Sequence, residues 1–564
     1  MKNNKPKRYL VTSALPYANG AQHIGHLTGA YLPADVYVRW LRLKGNDVKF
    51  VCGSDEYGAA ITIQAKKEGI LPRQIVDKYN DILRDCFDKI GISFDIYHRT
   101  SSELHTETAQ AFFRTLYNKG VFVEKTSEQY YDVEYNQFLA DRYIIGTCPK
   151  CSFNHAYGDQ CEKCGTSLNS IDLIDPRSSL SGSTPELRET KHWYLPMNKF
   201  QEEISNWINE TQTIEPWKEW VLKQCRAWLE QGFDDRPMTR DLDWGVPVPL
   251  EEAKDKVLYV WMDAPIGYIS ATIALSEQEG FNWKDYWQDE DTKLVHFIGK
   301  DNVVFHCIIF PMLLKAHGNF ILPTNIPANQ FMNLEGEKMS TSRNYAVWLP
   351  DYLRDFPNME DVLRYVLIAN MPENKDSSFS WLDFQARNNN ELVAIFGNFV
   401  HRVLTLLHKY YEGKIPNVNW DIENHSNIKS RVSQIKTQVI EKLENYIEQY
   451  QFREGLFALI DMAREGNKFL QDYEPWKIVK IDSEYTKAIL VGSYELVICL
   501  AYYCSPYLPF TSDKLSKMLN LNGLKNNGWI VIEGHEINTP ELLFRKIKDF
   551  EIQSQINNLK QFKK

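Results

Sequence analysis

The 564-residue sequence has no uninterrupted apolar run of the length a membrane span needs. The longest, residues 496–510, is broken by Ser505, Pro506 and Pro509 and falls short of the roughly 18 residues a span needs. No leader is visible, because Lys2, Lys5, Lys7 and Arg8 are followed by few apolar residues before Pro16. Basic excess is lacking as well: a net charge of −10 argues against a nonspecific nucleic-acid binder. A specific RNA partner needs only a local basic surface, and residues 545–564 are one candidate source. Internal repeats and long low-complexity segments are missing. The remainder, 43% hydrophobic and 24% charged, describes a soluble globular protein of three or four units, expected in the cytoplasm.

Cysteine is sparse, yet four of the ten form one constellation. Cys148, Cys151, Cys161 and Cys164 make two CxxC pairs separated by nine residues. Each CxxC turn points two thiolates at one ion, and two turns complete a closed tetrahedral zinc site that is structural, not catalytic. Cys52, Cys86, Cys225, Cys307, Cys499 and Cys504 are scattered among apolar residues and read as buried free thiols.

Two short segments carry the chemistry. His23-Ile24-Gly25-His26 follows a strand-type run at residues 8–14 and a turn at 16–20, and it opens a helical pattern from Leu27 that Pro33 is expected to kink. His23 and His26 are three apart and share one face of the first turn. A helix start presents unpaired N–H groups, and two imidazole donors there suit charge developing on a phosphate. Gly25 leaves room for a flat base against the backbone. The second segment, Lys338-Met339-Ser340-Thr341-Ser342, lies in a polar stretch that reads as a mobile loop able to close over a triphosphate. Each motif alone is weak: surface histidines or an ordinary solvated loop would explain it. Their pairing and order are informative.

Strands alternate with helices through about residue 99, with strand at 47–53 and helices at 62–69 and 75–90, which implies a parallel sheet. A ligand belongs at the carboxyl ends of its strands, where the histidine motif and Asp55 fall. Strand signals at 256–261 and 293–298, with the apolar run 303–314, are expected to complete that sheet. Beyond about 357 the periodicity is helical, at 363–369, 391–411, 428–450, 452–470 and 483–503, pointing to a bundle. The expected organisation is a Rossmann-like, doubly wound α/β domain at 1–119 and 245–325. It is interrupted by a connective insertion at 120–244 with its zinc knuckle at 148–164. A loop region at 326–356 and an α-helical domain at 357–564 follow.

The two motifs resemble the signatures of class I aminoacyl-tRNA synthetases, and their surroundings narrow the likeness to the methionyl-tRNA synthetase family. The matching stretches are Ala14-Leu15-Pro16-Tyr17-Ala18-Asn19-Gly20 and Gly146-Thr147-Cys148-Pro149-Lys150-Cys151. They continue with Val260-Trp261-Met262-Asp263-Ala264-Pro265-Ile266-Gly267-Tyr268 and His296-Phe297-Ile298-Gly299-Lys300-Asp301 with Phe305-His306. The likeness runs in order over residues 9–476. It implies a ligase of protein biosynthesis that joins L-methionine to methionine tRNA, initiator and elongator, using ATP and Mg²⁺ beside one structural Zn²⁺.

Carried onto this chain, the likeness implies a methionine pocket of Leu15, Tyr17, Asp55, Trp261, Ala264, Pro265, Tyr268 and His306. Asp55 would pair with the ammonium group, and Leu15 and Tyr268 would approach the thioether. His23, Gly25, His26, Gly299, Asp301, Lys338 and Thr341 would bind ATP, with His23, His26 and Lys338 catalytic. Asn398, Arg402, Pro475 and Trp476 would read the anticodon. Thr341 stands where the usual motif has a second Lys, and Arg343 is the expected substitute cation. Asn302 replaces an apolar residue found in some relatives. Many relatives carry a carboxyl-terminal dimerising appendix that this chain lacks, so the expectation is a monomer or a shortened chain. The alternatives are a nucleotidyltransferase, another class I synthetase, or a non-catalytic zinc-ribbon tRNA-binding protein with a damaged site. His23, His26, Asp55 and Lys338 are all present.

Overall fold

The structure, a computed structural model, describes residues 6–139, 143–158, 161, 163, 164, 166, 168, 170–341, 343–521 and 532–561. Ser342 of the second motif and residues 562–564 of the basic tail lie outside them. The chain divides into two compact units. One comprises Met1–Ala21, Lys49–Asp85 and Phe94–Pro327, the other Gln22–Val48, Cys86–Ser93 and Ala328–Lys564.

The first unit is built on β1 (Arg8–Ser13), β2 (Asp47–Ser54), β3 (Ile96–Arg99) and the strand Thr292–Gly299. β1 lies between Thr292–Gly299 and β2, and β3 flanks β2. β1 runs parallel to Thr292–Gly299, with Leu10 opposite Leu294 and Val11 opposite Val295, and β2 runs parallel to β3. Leu10, Val11, Phe50, Val51, Leu294 and Val295 have no exposed surface, as expected for parallel strands covered on both faces. Gly53 is required in β2, since a Cβ there would stand 2.5 Å from the His98 carbonyl oxygen.

Two expected strands are absent from this sheet. Residues 257–258 form a two-residue strand paired antiparallel with Thr239–Arg240, after which the helix Val260–Asp263 begins. The run 303–314 is a π-turn, Phe305–Ile309, followed by the helix Phe310–His317. Short apolar runs do not distinguish strand from buried helix by periodicity, and Pro265 and Pro311 sit in first helical turns, where a missing N–H costs nothing.

The insertion is antiparallel. Val123–Asp132 pairs with Glu186–Leu195 along its length, and the cysteine module adds a sheet of Ile144–Thr147, Ala156–Tyr157 and Ile174–Ser178. Tyr130, Tyr143, Ile144 and Leu173 pack with Cys148 and Cys161 as its core.

In the second unit the first motif opens a continuous helical run. Ile24–His26 is α, Leu27–Tyr31 is a π-turn in which Leu32 N–H reaches the Leu27 carbonyl, and Leu32–Leu43 is α again. The π-turn, not a sharp kink, accommodates Pro33. The bundle contains Asn398–Tyr411, Glu423–Glu448, Phe452–Tyr473 and Ser483–Tyr503. The last is long and apolar enough to cross a membrane, yet 83% of its apolar window is buried, and it packs on the other three helices. Asp35 and Arg364, both fully buried, pair at 2.6 Å. Arg364 also donates to the carbonyls of Tyr507, Pro506, Ile90 and Gly91.

Candidate functional site

In the first unit, the carboxyl ends of β2 and Thr292–Gly299 present the expected amino-acid residues. Asp55 follows β2. Its N–H donates to the Pro16 carbonyl at 2.8 Å, and its carbonyl accepts from Ala18 N–H at 2.9 Å, which joins the Leu15–Tyr17 turn to the strand end. Leu15 reaches Gly267, where a Cβ would stand 2.8 Å from its Cδ1. The Tyr17 hydroxyl lies over Gly58, whose φ of +111° excludes most side chains. Asp55 is buried, and its carboxylate accepts one long bond, from Tyr57 N–H at 3.4 Å. Burial, reinforced by Asp263, raises its pKa well above the usual carboxylate range.

Tyr268 and His306 are linked at 2.8 Å between the hydroxyl and Nε2. His306 Nδ1 lies 3.1 Å from the Asn302 carbonyl, so the proton belongs on Nδ1 and Nε2 accepts from Tyr268. Burial lowers His306 to about 4, which keeps the imidazole neutral. His296, bonded through Nδ1 to Thr12 Oγ1 at 2.6 Å, sets its ring at a tilt 5.4 Å from that of Tyr268. Trp261 meets Phe305 edge-on at 4.4 Å and lies under Arg236. Pro265 is buried, while Ala264 is half-buried beside it. Asp301 is exposed, in the turn after Thr292–Gly299, and Gly299 leaves room for its carboxylate, which a Cβ would crowd at 2.6 Å.

The four cysteine sulfurs of the insertion lie within 4.8 Å of one another. Cys148 and Cys164 are 3.9 Å apart, and Cys151 and Cys161 3.6 Å. Zn–S bonds of about 2.3 Å in a tetrahedron separate the sulfurs by about 3.8 Å, so the donor set fits zinc. The six scattered cysteines are buried and free, as expected.

The second unit brings the two motifs together. His23 is the N-cap of the helical run: its Nδ1 accepts from Gly25 N–H at 3.1 Å, and His26 Nδ1 accepts from His23 N–H at 3.2 Å. The rings stack at 3.7 Å. With both Nδ1 atoms accepting, each neutral ring carries its proton on Nε2 as a donor. Burial holds both below the ordinary histidine range, His26 at about 4. Ile24 N–H donates to the Val347 carbonyl at 3.1 Å, and Trp348 meets His23 edge-on.

Met339 lies against Gly25, where a Cβ would stand 2.6 Å from its Cε. The expected loop is a hairpin in which Ser340 and Tyr345 exchange backbone bonds at 2.9 Å, and Asn344 N–H donates to the Thr341 carbonyl. Lys338 is exposed at its edge, over the Phe331 ring. In the bundle, Arg402 lies 5.1 Å over the Trp476 ring. Asn398 donates to Asn467 Oδ1 at 2.9 Å, and Pro475 starts the short helix that carries Trp476.

Comparison with known proteins decides the family. Residues 9–404 match the family model described as tRNA synthetases class I (M), and residues 423–562 match the anticodon binding domain of methionyl tRNA ligase. The chain belongs to the methionyl-tRNA synthetase family. It is 53% identical to the methionine–tRNA ligase of Flavobacterium psychrophilum, over 98% of this chain and 81% of that protein. It is 55% identical to that of Bacteroides fragilis, over 99% and 81%. The Mycobacterium tuberculosis methionyl-tRNA synthetase in complex with methionyl-adenylate shares the fold, with a TM-score of 0.77 at 23% identity, over 95% of this chain and 99% of that one.

Sequence reasoning about this family member missed Glu56, Trp244, Trp348 and Asn467. Asn467 is the shared acceptor for Asn398 and Arg402. Its only sequence signal is a polar residue on the Phe452–Tyr473 helix.

Proposed function

We propose that this chain activates L-methionine with ATP to methionyl-adenylate and pyrophosphate, then transfers the methionyl group to the 3′ end of methionine tRNA. The observation that carries the proposal is the meeting, within one unit, of two motifs more than 300 residues apart in sequence, with Gly25 against Met339 and Ile24 bonded to Val347. In this reading the Nε2–H groups of His23 and His26 donate to phosphate oxygens as charge develops, acting as neutral donors because burial holds their pKa values down. The Lys338 ammonium meets the leaving pyrophosphate. Gly25 and Gly299 let the nucleotide approach the backbone, Asp301 holds the ribose, and the hairpin of Thr341 closes the phosphate side.

Asp55 receives the substrate ammonium. Trp261, Ala264, Pro265 and Leu15 wall the thioether, Tyr17 covers it, and Tyr268 and His306 fix its polar edge. The methionine carboxylate attacks the α-phosphorus, and no protein nucleophile is required. Mg²⁺, when bound with ATP, offsets phosphate charge. Zn²⁺ in the four-cysteine shell stabilises the insertion. Asn398, Arg402, Pro475 and Trp476 read the anticodon by hydrogen bonding and stacking. We propose a cytoplasmic location, in keeping with a role in protein biosynthesis. The test is charging of unfractionated tRNA with labelled methionine: acid-precipitable, base-labile label is expected, and His26→Ala is expected to lower its rate by roughly 100-fold. No label in tRNA overturns the proposal.

A further inference from the structure

Asp55 and its neighbour Glu56 differ sharply in how they are bonded. Every polar group of Glu56 is engaged: Oε1 accepts from Arg99 Nε at 2.8 Å and Ser54 Oγ at 2.6 Å. Oε2 accepts from Arg99 Nε at 2.9 Å and from Ser101 Oγ. Its N–H donates to Thr100 Oγ1 at 2.9 Å, and its carbonyl accepts from Trp244 Nε1 at 2.7 Å. Arg99 is held in turn by Asp77 at 2.5 Å, and the Trp244 ring packs edge-on against Tyr57. The Glu56 side chain is fully buried. Together with the two backbone bonds of Asp55 itself, these contacts immobilise the peptide planes on both sides of the Asp55 Cα. What remains underbonded in the stretch is the Asp55 carboxylate.

We infer that Glu56 and Trp244 are positioning residues: they clamp the turn after β2 so that the Asp55 carboxylate faces the ammonium group of the amino-acid substrate. The inference rests on the reading of Asp55 as the ammonium partner. A binding carboxylate must be held to within about half an ångström to act, and part of the hold here is an indole N–H 188 residues away in sequence, which fixes the Glu56–Tyr57 peptide whose N–H donates to the Asp55 carboxylate.

The test uses the full chain and two competitive ligands. Methioninol keeps the ammonium and thioether of methionine, and the deamino analogue of methionine lacks the ammonium. Trp244→Phe deletes the donor while keeping an aromatic ring. It is expected to weaken methioninol by roughly three- to tenfold and to leave the deamino analogue and the KM for ATP within about twofold. Unchanged methioninol binding, or an equal loss for both ligands, overturns the inference. If Trp244→Phe does not fold, Glu56→Gln is read against the same ligands with the same criteria. Asp55→Asn separates the two levels. If it binds methioninol as wild type does, the ammonium reading itself fails. If it weakens methioninol while both clamp variants do not, only the clamp is overturned.

Discussion

Two buried aspartates, one in each unit, show opposite uses of a carboxylate. Asp35 is satisfied on every side: Ser93 donates twice to Oδ1, and Arg39 and Arg364 donate to Oδ2 at 2.8 and 2.6 Å. These partners outweigh the cost of burial and hold its pKa down at about 2. Asp55 is equally removed from water but accepts one long bond, so burial dominates and its pKa rises. Asp263 is the extreme case: among the described residues neither oxygen has a hydrogen-bond partner, His105 Nε2 stands 3.8 Å away, and burial pushes its pKa up to about 8. The carboxylate that holds the fold is surrounded by donors, and the one proposed to meet a cation is left short of them.

The largest effect expected from breaking this contrast is on stability. Arg364→Met leaves Asp35 buried beside the Arg39 guanidinium alone, and urea unfolding should register a loss of about 3–5 kcal/mol. Asp55→Asn should do the reverse, leaving unfolding nearly unchanged while weakening methionine by roughly 10- to 100-fold in calorimetric titration.

Proton linkage sharpens the comparison. The Asp35 pKa is depressed, so its contribution is present above about pH 4 and lost as the pH falls toward 2. The Asp263 pKa is raised, so the stability it gives below about pH 4 is lost as the pH rises through about 8. Asp263→Asn should therefore flatten the decline in unfolding free energy between pH 5 and 8, while Asp35→Asn should flatten the acid limb. Urea titrations from about pH 2 to 8 check both signs. The smallest effect concerns Arg343. If it substitutes for the Lys replaced by Thr341, Arg343→Ala should slow pyrophosphate exchange roughly two- to fivefold, visible in kcat with KM for methionine unchanged.

Much of this was legible in residue patterns. Helix 483–503 is legible to the residue, and the strands at 8–13, 47–54 and 292–299 to within a position or two, because buried parallel strands and long apolar helices have strong local signals. The cysteine shell was legible from spacing alone. The segments 256–261 and 303–314 were misread because a short apolar run next to a proline fits either strand or buried helix. Glu56 and Trp244 were invisible for a different reason: a side chain bonded to a backbone carbonyl 188 residues away leaves no periodic trace. The same holds for Trp348 beside His23. The tertiary fold, not local preference, sets those contacts.

The most direct measurement is ATP–pyrophosphate exchange on the purified chain with Mg²⁺ and Zn²⁺ present, each standard amino acid supplied in turn. Exchange with methionine alone is the expected result, since Trp261 and Tyr268, the walls proposed for the pocket, offer polarizable aromatic surface to a thioether. Exchange driven by a different amino acid, or none with any, would contradict the account.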